Sequence, residues 1–141
     1  MGRFARVVVA KVAYHVTQRG NARQFLLASD AERLVYLDLF RAAVQLEGLS
    51  VLGFCLMSSH VHLVVVPPRA EALAVALKST HGRYAAYWNA AHASSGHVWQ
   101  GRFYSCPLDE GHLWQALHGI GLEIVSGTIV SQTPFLPSST P

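Results

Sequence analysis

One apolar segment of this chain carries two histidines: Met57-Ser58-Ser59-His60-Val61-His62-Leu63-Val64-Val65-Val66. Side chains alternate across a β-strand, so His60 and His62 project to the same face, roughly 6 to 7 Å apart along the strand. Two ring nitrogens at that spacing can converge on one cation, and neutral imidazole is the commonest protein ligand for a metal. Val61, Leu63 and Val65 then face a core on the other side. A polar, half-exposed strand face is the simpler interpretation of a His-x-His pair taken alone.

The residues before the histidines predict a strand, a helix and the first half of a hairpin. Residues 6 to 18 are rich in valine and alternate, which predicts a strand that ends at the Gly20-Asn21 turn signal. Ser29-Asp30-Ala31-Glu32 is a capping box, and the apolar residues after it recur at helical spacing up to Gly48. A helix is therefore expected over about residues 30 to 47. Residues 49 to 57 and 60 to 66 follow as the two strands of a hairpin.

The residues after the histidines predict two more helices with a strand between them. A second helix is expected over about residues 71 to 91, with apolar residues on one stripe and Lys78 with His81 on another. Residues 96 to 108 have strand character, and Asp109 can cap a third helix. The order β-α-β-β-α-β-α is that of an α+β, ferredoxin-like split-βαβ sandwich. Its antiparallel sheet carries the helices mainly on one face.

Length and composition predict one globular domain. The chain has 141 residues, of which 51% are hydrophobic and 13% are charged, so it can bury a core and is not disordered throughout. Residues 1 to 124 are expected to form this domain, and the Ser/Thr/Pro-rich residues 125 to 141 a poorly packed tail. No apolar stretch reaches bilayer length and no secretion signal is recognisable, so the expected location is the cytoplasm. Cys55 and Cys106 lack metal-ligand spacing and are expected to be reduced thiols.

Basic residues cluster in the sequence although the net charge is only +3. Five basic residues precede the first acidic residue of the chain: Arg3, Arg6, Lys11, Arg19 and Arg23. A second group between Arg69 and Arg102 contains a single acid, Glu71. Such clusters suit a polyanionic partner, because phosphates release counterions when lysine and arginine neutralise them. An ordinary solvated basic surface explains the charge pattern equally well.

Three blocks of residues resemble one family. The blocks are Tyr14-His15-Val16-Thr17-Gln18-Arg19-Gly20-Asn21, Cys55-Leu56-Met57-Ser58-Ser59-His60-Val61-His62-Leu63 and Gly96-His97-Val98-Trp99-Gln100-Gly101-Arg102-Phe103. Together they are similar to the single-tyrosine HUH transposases, especially to the REP-associated tyrosine transposases of bacteria, over roughly residues 4 to 118. The resemblance implies the ferredoxin-like fold that the order of the elements also predicts.

The resemblance implies a chemistry and a partner. In that family a tyrosine hydroxyl attacks a phosphodiester of hairpin-bearing single-stranded DNA, which forms a 5′-phosphotyrosine link and frees a 3′-hydroxyl. By resemblance, His60 and His62 are metal ligands, and Mg²⁺ or Mn²⁺ is the cation that polarises the phosphate. Arg19 and Arg102 are the expected phosphate contacts. A monomer and a homodimer both stay open, because members of the family differ, and no membrane partner is expected.

The chain departs from the family where the nucleophile is expected. The third helix of the family carries the tyrosine and, four residues on, an asparagine that also binds the metal. In the same register this chain has Gly119 at the tyrosine position and Glu123 at the position of the third ligand. Glycine has no hydroxyl, whereas Glu123 can coordinate a hard cation or be a solvated carboxylate. The other tyrosines, Tyr104 in an aromatic strand among them, lack the family's helical geometry.

Three functions stay open on this basis. The first is a metal-dependent strand-transfer enzyme for single-stranded DNA, whose nucleophile would come from another chain. The second is a catalytically silent DNA-binding relic or domesticated transposase. The third is an unrelated His-x-His metal hydrolase, which needs further ligands; His15 is the one candidate, although a hydrogen-bonded core histidine is the simpler interpretation. Trp99 and Phe103 are expected in the core, although base stacking is the alternative.

Overall fold

A computed structural model describes residues 8–120 and 123–124 of this chain. Its elements are β1 (Tyr14–Arg19), a short 3-10 turn (Asn21–Arg23), α1 (Asp30–Glu47), β2 (Ser50–Leu56), β3 (His60–Val66), α2 (Ala72–Ala91), β4 (Tyr104–Pro107), α3 (Glu110–Ile120) and β5 (Glu123–Ile124). The strands pair antiparallel in the order β4-β1-β3-β2-β5. The predicted split-βαβ order is confirmed, and β5 is an addition beside β2. The tail predicted over residues 125 to 141 lies outside the described residues.

Both ends of α1 have the caps that the sequence predicts. Ser29 Oγ accepts the backbone N–H of Glu32 at 3.1 Å, and the Glu32 carboxylate accepts the backbone N–H of Ser29 at 3.2 Å. A cap of this kind stabilises a helix by about 1 kcal/mol. Gly48 ends the helix with a φ of 75°, a left-handed conformation that costs little without a Cβ atom. Local sequence alone therefore accounts for the length of α1.

The core lies between one face of the sheet and the two long helices. Val16 of β1 and Leu63 and Val65 of β3 are fully buried, together with Phe40 of α1 and Leu77 of α2. Each such side chain contributes about 1.5 to 3 kcal/mol when it leaves water. Because strand side chains alternate, the residues between them on β1 and β3 point to the opposite face of the sheet.

Two strands are shorter than the sequence pattern predicts. The valine-rich pattern includes residues 8 to 13, but β1 begins only at Tyr14, because Lys11 has a φ of 66° in a turn. The aromatic segment before β4 is also not a strand: Trp99 makes one isolated bridge with Gly20, and Gly101 has a φ of 65°. Trp99 is buried and Phe103 packs against the core, as predicted.

The third helix begins where the sequence predicts. The Asp109 carboxylate accepts the backbone N–H of His112 at 2.8 Å, and α3 packs against β2 and β3. Cys55 and Cys106 are free thiols, as expected. Within the described part of the chain, no helix combines the length and the apolar character that a bilayer span requires.

His81 is buried, although the sequence places it with Lys78 on a separate stripe of α2. Its Nε2 lies 2.8 Å from the Tyr36 hydroxyl, its ring stacks on the Tyr36 ring, and its backbone carbonyl accepts the Trp99 Nε1–H at 2.8 Å. Burial lowers the pKa of His81 to about 3, because the charged imidazolium would lose its hydration. One histidine thus joins α1, α2 and the segment before β4.

We expect His81 to make the fold less stable in acid. The pKa of this histidine is 6.5 in the unfolded chain and about 3 in the folded one, so below pH 6.5 the unfolded chain binds the proton first. Stability from the neutral ring is complete above pH 6.5 and declines as the pH falls from 6.5 towards 3. On acidification from pH 7.5 to 4.5, protonation of this residue in the unfolded chain should lower the free energy of unfolding by roughly 3 kcal/mol.

Urea unfolding at the two pH values measures this effect. The variant His81→Gln should be less stable than the wild type at pH 7.5, because it disturbs the hydrogen bond to Tyr36, and should lose less stability on acidification. The exposed His97→Gln is the matched control and should keep the wild-type pH dependence. A His81→Gln protein with the full wild-type pH dependence would show that His81 is not the residue that makes the fold less stable in acid.

Candidate metal centre

The sheet face turned away from the core gathers polar residues from two neighbouring strands, β1 and β3. His62 of β3 lies opposite Thr17 of β1, and His60 lies opposite Arg19. Residues that pair directly in a sheet project to the same side, so these four side chains share one face. His15, two residues before Thr17, also belongs to it. We call these five residues the histidine face.

The geometry of the predicted His pair fits a shared cation. The ring centroids of His60 and His62 are 4.9 Å apart. Two imidazoles bound side by side to one metal, each through a nitrogen at about 2.1 Å, have centroids about 5 Å apart. Val61, Leu63 and Val65 on the other side of β3 are fully buried, as predicted, and this anchors the strand. The donor set is thus placed on a rigid element.

One nitrogen of each ring already has a partner. His60 Nδ1 lies 3.2 Å from Ser59 Oγ, and His62 Nδ1 lies 3.2 Å from His15 Nε2. The other nitrogen, Nε2, is therefore the one left for a cation in both rings. Each ring of the pair is thus held by a contact at its Nδ1.

Electrostatics keeps these imidazoles neutral. The pKa of His62 is lowered to about 4, first by burial and then by the neighbouring charges of His60, His15 and Arg19. Burial and Arg19 also lower the pKa of His60, and burial lowers that of His15. Because a metal binds the neutral ring, the histidine face holds its ligands in the binding form at neutral pH.

The two arginines predicted to contact phosphate lie at different places. Arg19 is exposed on the histidine face, opposite His60. Arg102 lines a cavity of about 1090 Å³ between α2 and residues 96–103, with Lys78 and Trp99. Of the two, Arg19 is the one that the fold brings to the His pair.

The remaining predicted residues, Gly119 and Glu123, do not share a helix. Gly119 lies in α3, but α3 ends at Ile120, and Glu123 lies in β5 opposite Phe54 of β2. The prediction that Gly119 and Glu123 lie four residues apart on one helix, and so face one site, is therefore wrong. The side chain of Glu123 lies outside the described residues, so its role as third ligand stays a prediction. Among the described residues, no cluster of three or more His, Cys, Asp or Glu side chains is suited to hold a metal.

Sequence reasoning missed two features of this face. His15 was expected to be a core histidine, but its ring stacks on His62 with centroids 5.3 Å apart. Tyr104 is exposed and lies opposite Thr17, so it projects from the same sheet face, with its Cα about 10 Å from that of His62. The alternation of His15, Thr17 and Arg19 along β1 could have predicted that His15 shares a face with Arg19. No local sequence pattern predicts the position of Tyr104, because the pairing of β4 with β1 joins distant parts of the chain.

Comparisons with known proteins agree with this architecture. Residues 8–116 match the family model described as transposase, IS200 like. A REP-associated tyrosine transposase, solved bound to a REP hairpin, superposes with a TM-score of 0.60 at 13% identity, over 85% of this chain and 68% of that chain. A candidate transposase from Deinococcus radiodurans R1 superposes with a TM-score of 0.58 at 19% identity, over 84% of this chain and 95% of that chain. No curated protein sequence matches this chain significantly.

We expect Arg19→Gln to raise the pKa of His60 and His62. Removing a positive charge beside a histidine favours its protonated form, so both pKa values should rise. Titration of the ring Cε1–H signals by NMR in the metal-free protein measures the change. Arg102→Gln removes the same charge from the cavity and should leave both titrations where they are. Equal effects of the two substitutions would show that Arg19 does not face the pair.

Proposed function

This chain belongs to the family of IS200-like transposases, and from that membership we propose that it binds hairpin-containing single-stranded DNA beside a divalent cation. His60 and His62 would hold the cation, and Arg19 would contact a phosphate. The observation that carries the proposal is the histidine face, where two neutral imidazoles and an exposed guanidinium lie side by side. The unrelated metal hydrolase is wrong, because the match to the family covers most of the chain.

The donor set supports Mg²⁺ or Mn²⁺ at this face. Divalent metal is general in the family, and imidazole nitrogen favours Mn²⁺ over the harder Mg²⁺. When bound, the cation would polarise a phosphate oxygen of the DNA and stabilise charge that develops on it. Arg19 projects beside His60 and would neutralise the same phosphate or its neighbour. Ser59 and His15 would hold the two rings in place.

The partner is proposed from charge and from fold. The superposed REP-associated transposase is bound to a REP hairpin, and the N-terminal third of this chain is rich in arginine and lysine. Trp99 is buried and its indole N–H is bonded to His81, so it supports the fold and does not stack on bases. Phosphate contacts rather than aromatic stacking would therefore dominate the affinity.

The residue at position 119 supports a protein of this family that binds DNA but does not cleave it with a nucleophile on α3. Gly119 has no hydroxyl, and no side chain there can attack phosphorus. Such a protein would retain the fold and the histidine face and would bind DNA without cleaving the strand. The silent or domesticated role follows from this single position.

Strand cleavage by Tyr104 is a second candidate function. The observation that favours it is the row of directly paired residues Tyr104, Thr17 and His62, which places the exposed phenol on the histidine face. The Tyr104 oxygen would attack phosphorus, the bond from phosphorus to the 3′ oxygen would break, the phenolic proton would pass to water, and the freed 3′ oxygen would take a proton. The DNA would be left with a 5′-phosphotyrosine link.

We expect hairpin binding to depend on the cation and on the His pair. Replacing both His60 and His62 by Gln should weaken Mn²⁺ binding about 100-fold or more and abolish the Mn²⁺-dependent part of DNA binding. Fluorescence anisotropy of a labelled hairpin oligonucleotide, with Mn²⁺ or with EDTA, measures both. His92→Gln, at the end of α2, is the matched control and should bind like the wild type. Arg19→Gln should weaken binding in both conditions and lower the salt slope by about one.

Tight, Mn²⁺-independent binding by the His60→Gln, His62→Gln protein would refute the cation role. A wild type that binds duplex DNA as well as the hairpin oligonucleotide would refute the proposed partner.

A covalent-adduct assay separates the silent protein from the Tyr104 enzyme. The protein is incubated with the hairpin oligonucleotide and Mn²⁺ and then run on a denaturing gel. We expect no adduct from the wild type, because Gly119 offers no nucleophile. An adduct that disappears in Tyr104→Phe and persists in Tyr87→Phe would instead establish the second candidate function.

A further inference from the structure

His15 approaches the candidate metal centre from the neighbouring strand. It lies opposite Val64, and its side chain therefore stands diagonal to His62 on the histidine face. Its Nε2 is 3.2 Å from His62 Nδ1, and the two rings stack at an interplanar angle of 26°. This contact does not belong to the predicted His pair, since His15 comes from β1, 47 residues away in sequence. It is a hydrogen bond between two imidazoles, and one of them must donate.

The direction of that hydrogen bond decides what His62 can do. If His62 Nδ1 donates, its proton sits on Nδ1 and the lone pair sits on Nε2, where a cation can take it. If His15 donates instead, the neutral His62 carries its proton on Nε2, and that nitrogen cannot bind a metal. His60 offers a parallel case, because Ser59 Oγ lies 3.2 Å from its Nδ1 and can accept a proton from it.

We propose that His15 is a positioning residue of the divalent-cation site: its Nε2 accepts the Nδ1–H of His62 and so directs the His62 Nε2 lone pair to the cation. The proposal rests on the cation site of the proposed function. It assigns His15 a role through His62 and not as a ligand. Ser59 acts on His60 in the same way, so each ring of the pair has its own acceptor.

The strand geometry explains how an acceptor at position 15 reaches His62. Thr17 stands directly opposite His62, whereas His15 is two residues further along β1 and pairs with Val64, so a side chain at position 15 must reach diagonally. A planar imidazole spans that distance and also stacks on the His62 ring, which limits its rotation. An apolar residue would fill the space, but it would leave the His62 N–H half-buried without an acceptor and the ring free to turn.

The test compares two substitutions of the full-length protein. His15→Leu keeps the bulk and removes the acceptor, while His15→Gln can offer an amide oxygen near the position of Nε2. Titration calorimetry with Mn²⁺ should show binding about 10- to 100-fold weaker in His15→Leu and within a few-fold of the wild type in His15→Gln. Circular dichroism checks that both variants fold. Mn²⁺ affinity unchanged in His15→Leu would overturn the proposal.

Long-range ¹H–¹⁵N NMR of the metal-free protein reports which nitrogen of His62 carries the proton. A His15 that only packed against His62 would not affect this tautomer. In the wild type, His62 should carry its proton on Nδ1; in His15→Leu it should shift towards the Nε2–H form, and in His15→Gln it should stay on Nδ1. An Nε2–H His62 in the wild type would overturn the proposal. So would a Zn²⁺-loaded spectrum in which a nitrogen of His15 itself is bound to the metal.

The outcomes separate this inference from the proposed function. If the wild type binds neither Mn²⁺ nor the hairpin oligonucleotide, the proposed function fails, and the cation role of His15 fails with it. If the wild type binds both and His15→Leu binds Mn²⁺ equally well, only the role of His15 fails. Ser59→Ala should weaken Mn²⁺ binding in the same direction as His15→Leu, because it removes the acceptor of His60.

Discussion

The antiparallel pairing of β3 with β1 is the constraint on which the rest of this structure depends. β3 is the central strand, and its alternate residues Val61, Leu63 and Val65 are fully buried against the helices. A slip of one residue would turn these valines and leucine to the other face, at a cost of several kcal/mol, so the register is held by the core. The same alternation sends His60 and His62 to the opposite side. The core thus aims the candidate ligands without contacting them.

Polar contacts inside the core join the two long helices to each other and to neighbouring segments of the chain. His81 on α2 contacts the Tyr36 hydroxyl on α1 and accepts the Trp99 indole N–H through its carbonyl. Tyr84 donates its hydroxyl to the Leu26 carbonyl at 2.5 Å. Since each buried donor that loses its partner costs about 1 to 3 kcal/mol, these bonds specify how the helices and the segment 96–103 meet. They also shape the cavity that Arg102 lines, on the side of the molecule where the long helices pack.

The two halves of the candidate site have different standing in this chain. On the side proposed to bind metal, the ring centroids of two imidazoles are 4.9 Å apart, each Nδ1 has a hydrogen-bonding partner, and an arginine lies beside them. At the position where the family resemblance places the nucleophile, Gly119 has no hydroxyl, and α3 ends one residue later. Glycine also weakens a helix by about 1 kcal/mol relative to alanine. The strand residues of the proposed site therefore match the family pattern, whereas position 119 on α3 departs from it.

The sequence by itself determined the features that depend on neighbours along the chain. The capping box at Ser29, the left-handed Gly48 and the alternation around His60 all act within a few residues, so the ends of α1 and the face of the His pair were predictable. Only the tertiary structure decided which residues join them. His15 meets His62 and Tyr104 meets the same face through strand pairings that link distant segments, and no periodicity encodes such a register. The burial of His81 was likewise decided by Tyr36 and Trp99, because a helical stripe shows which side a residue is on and not what packs there.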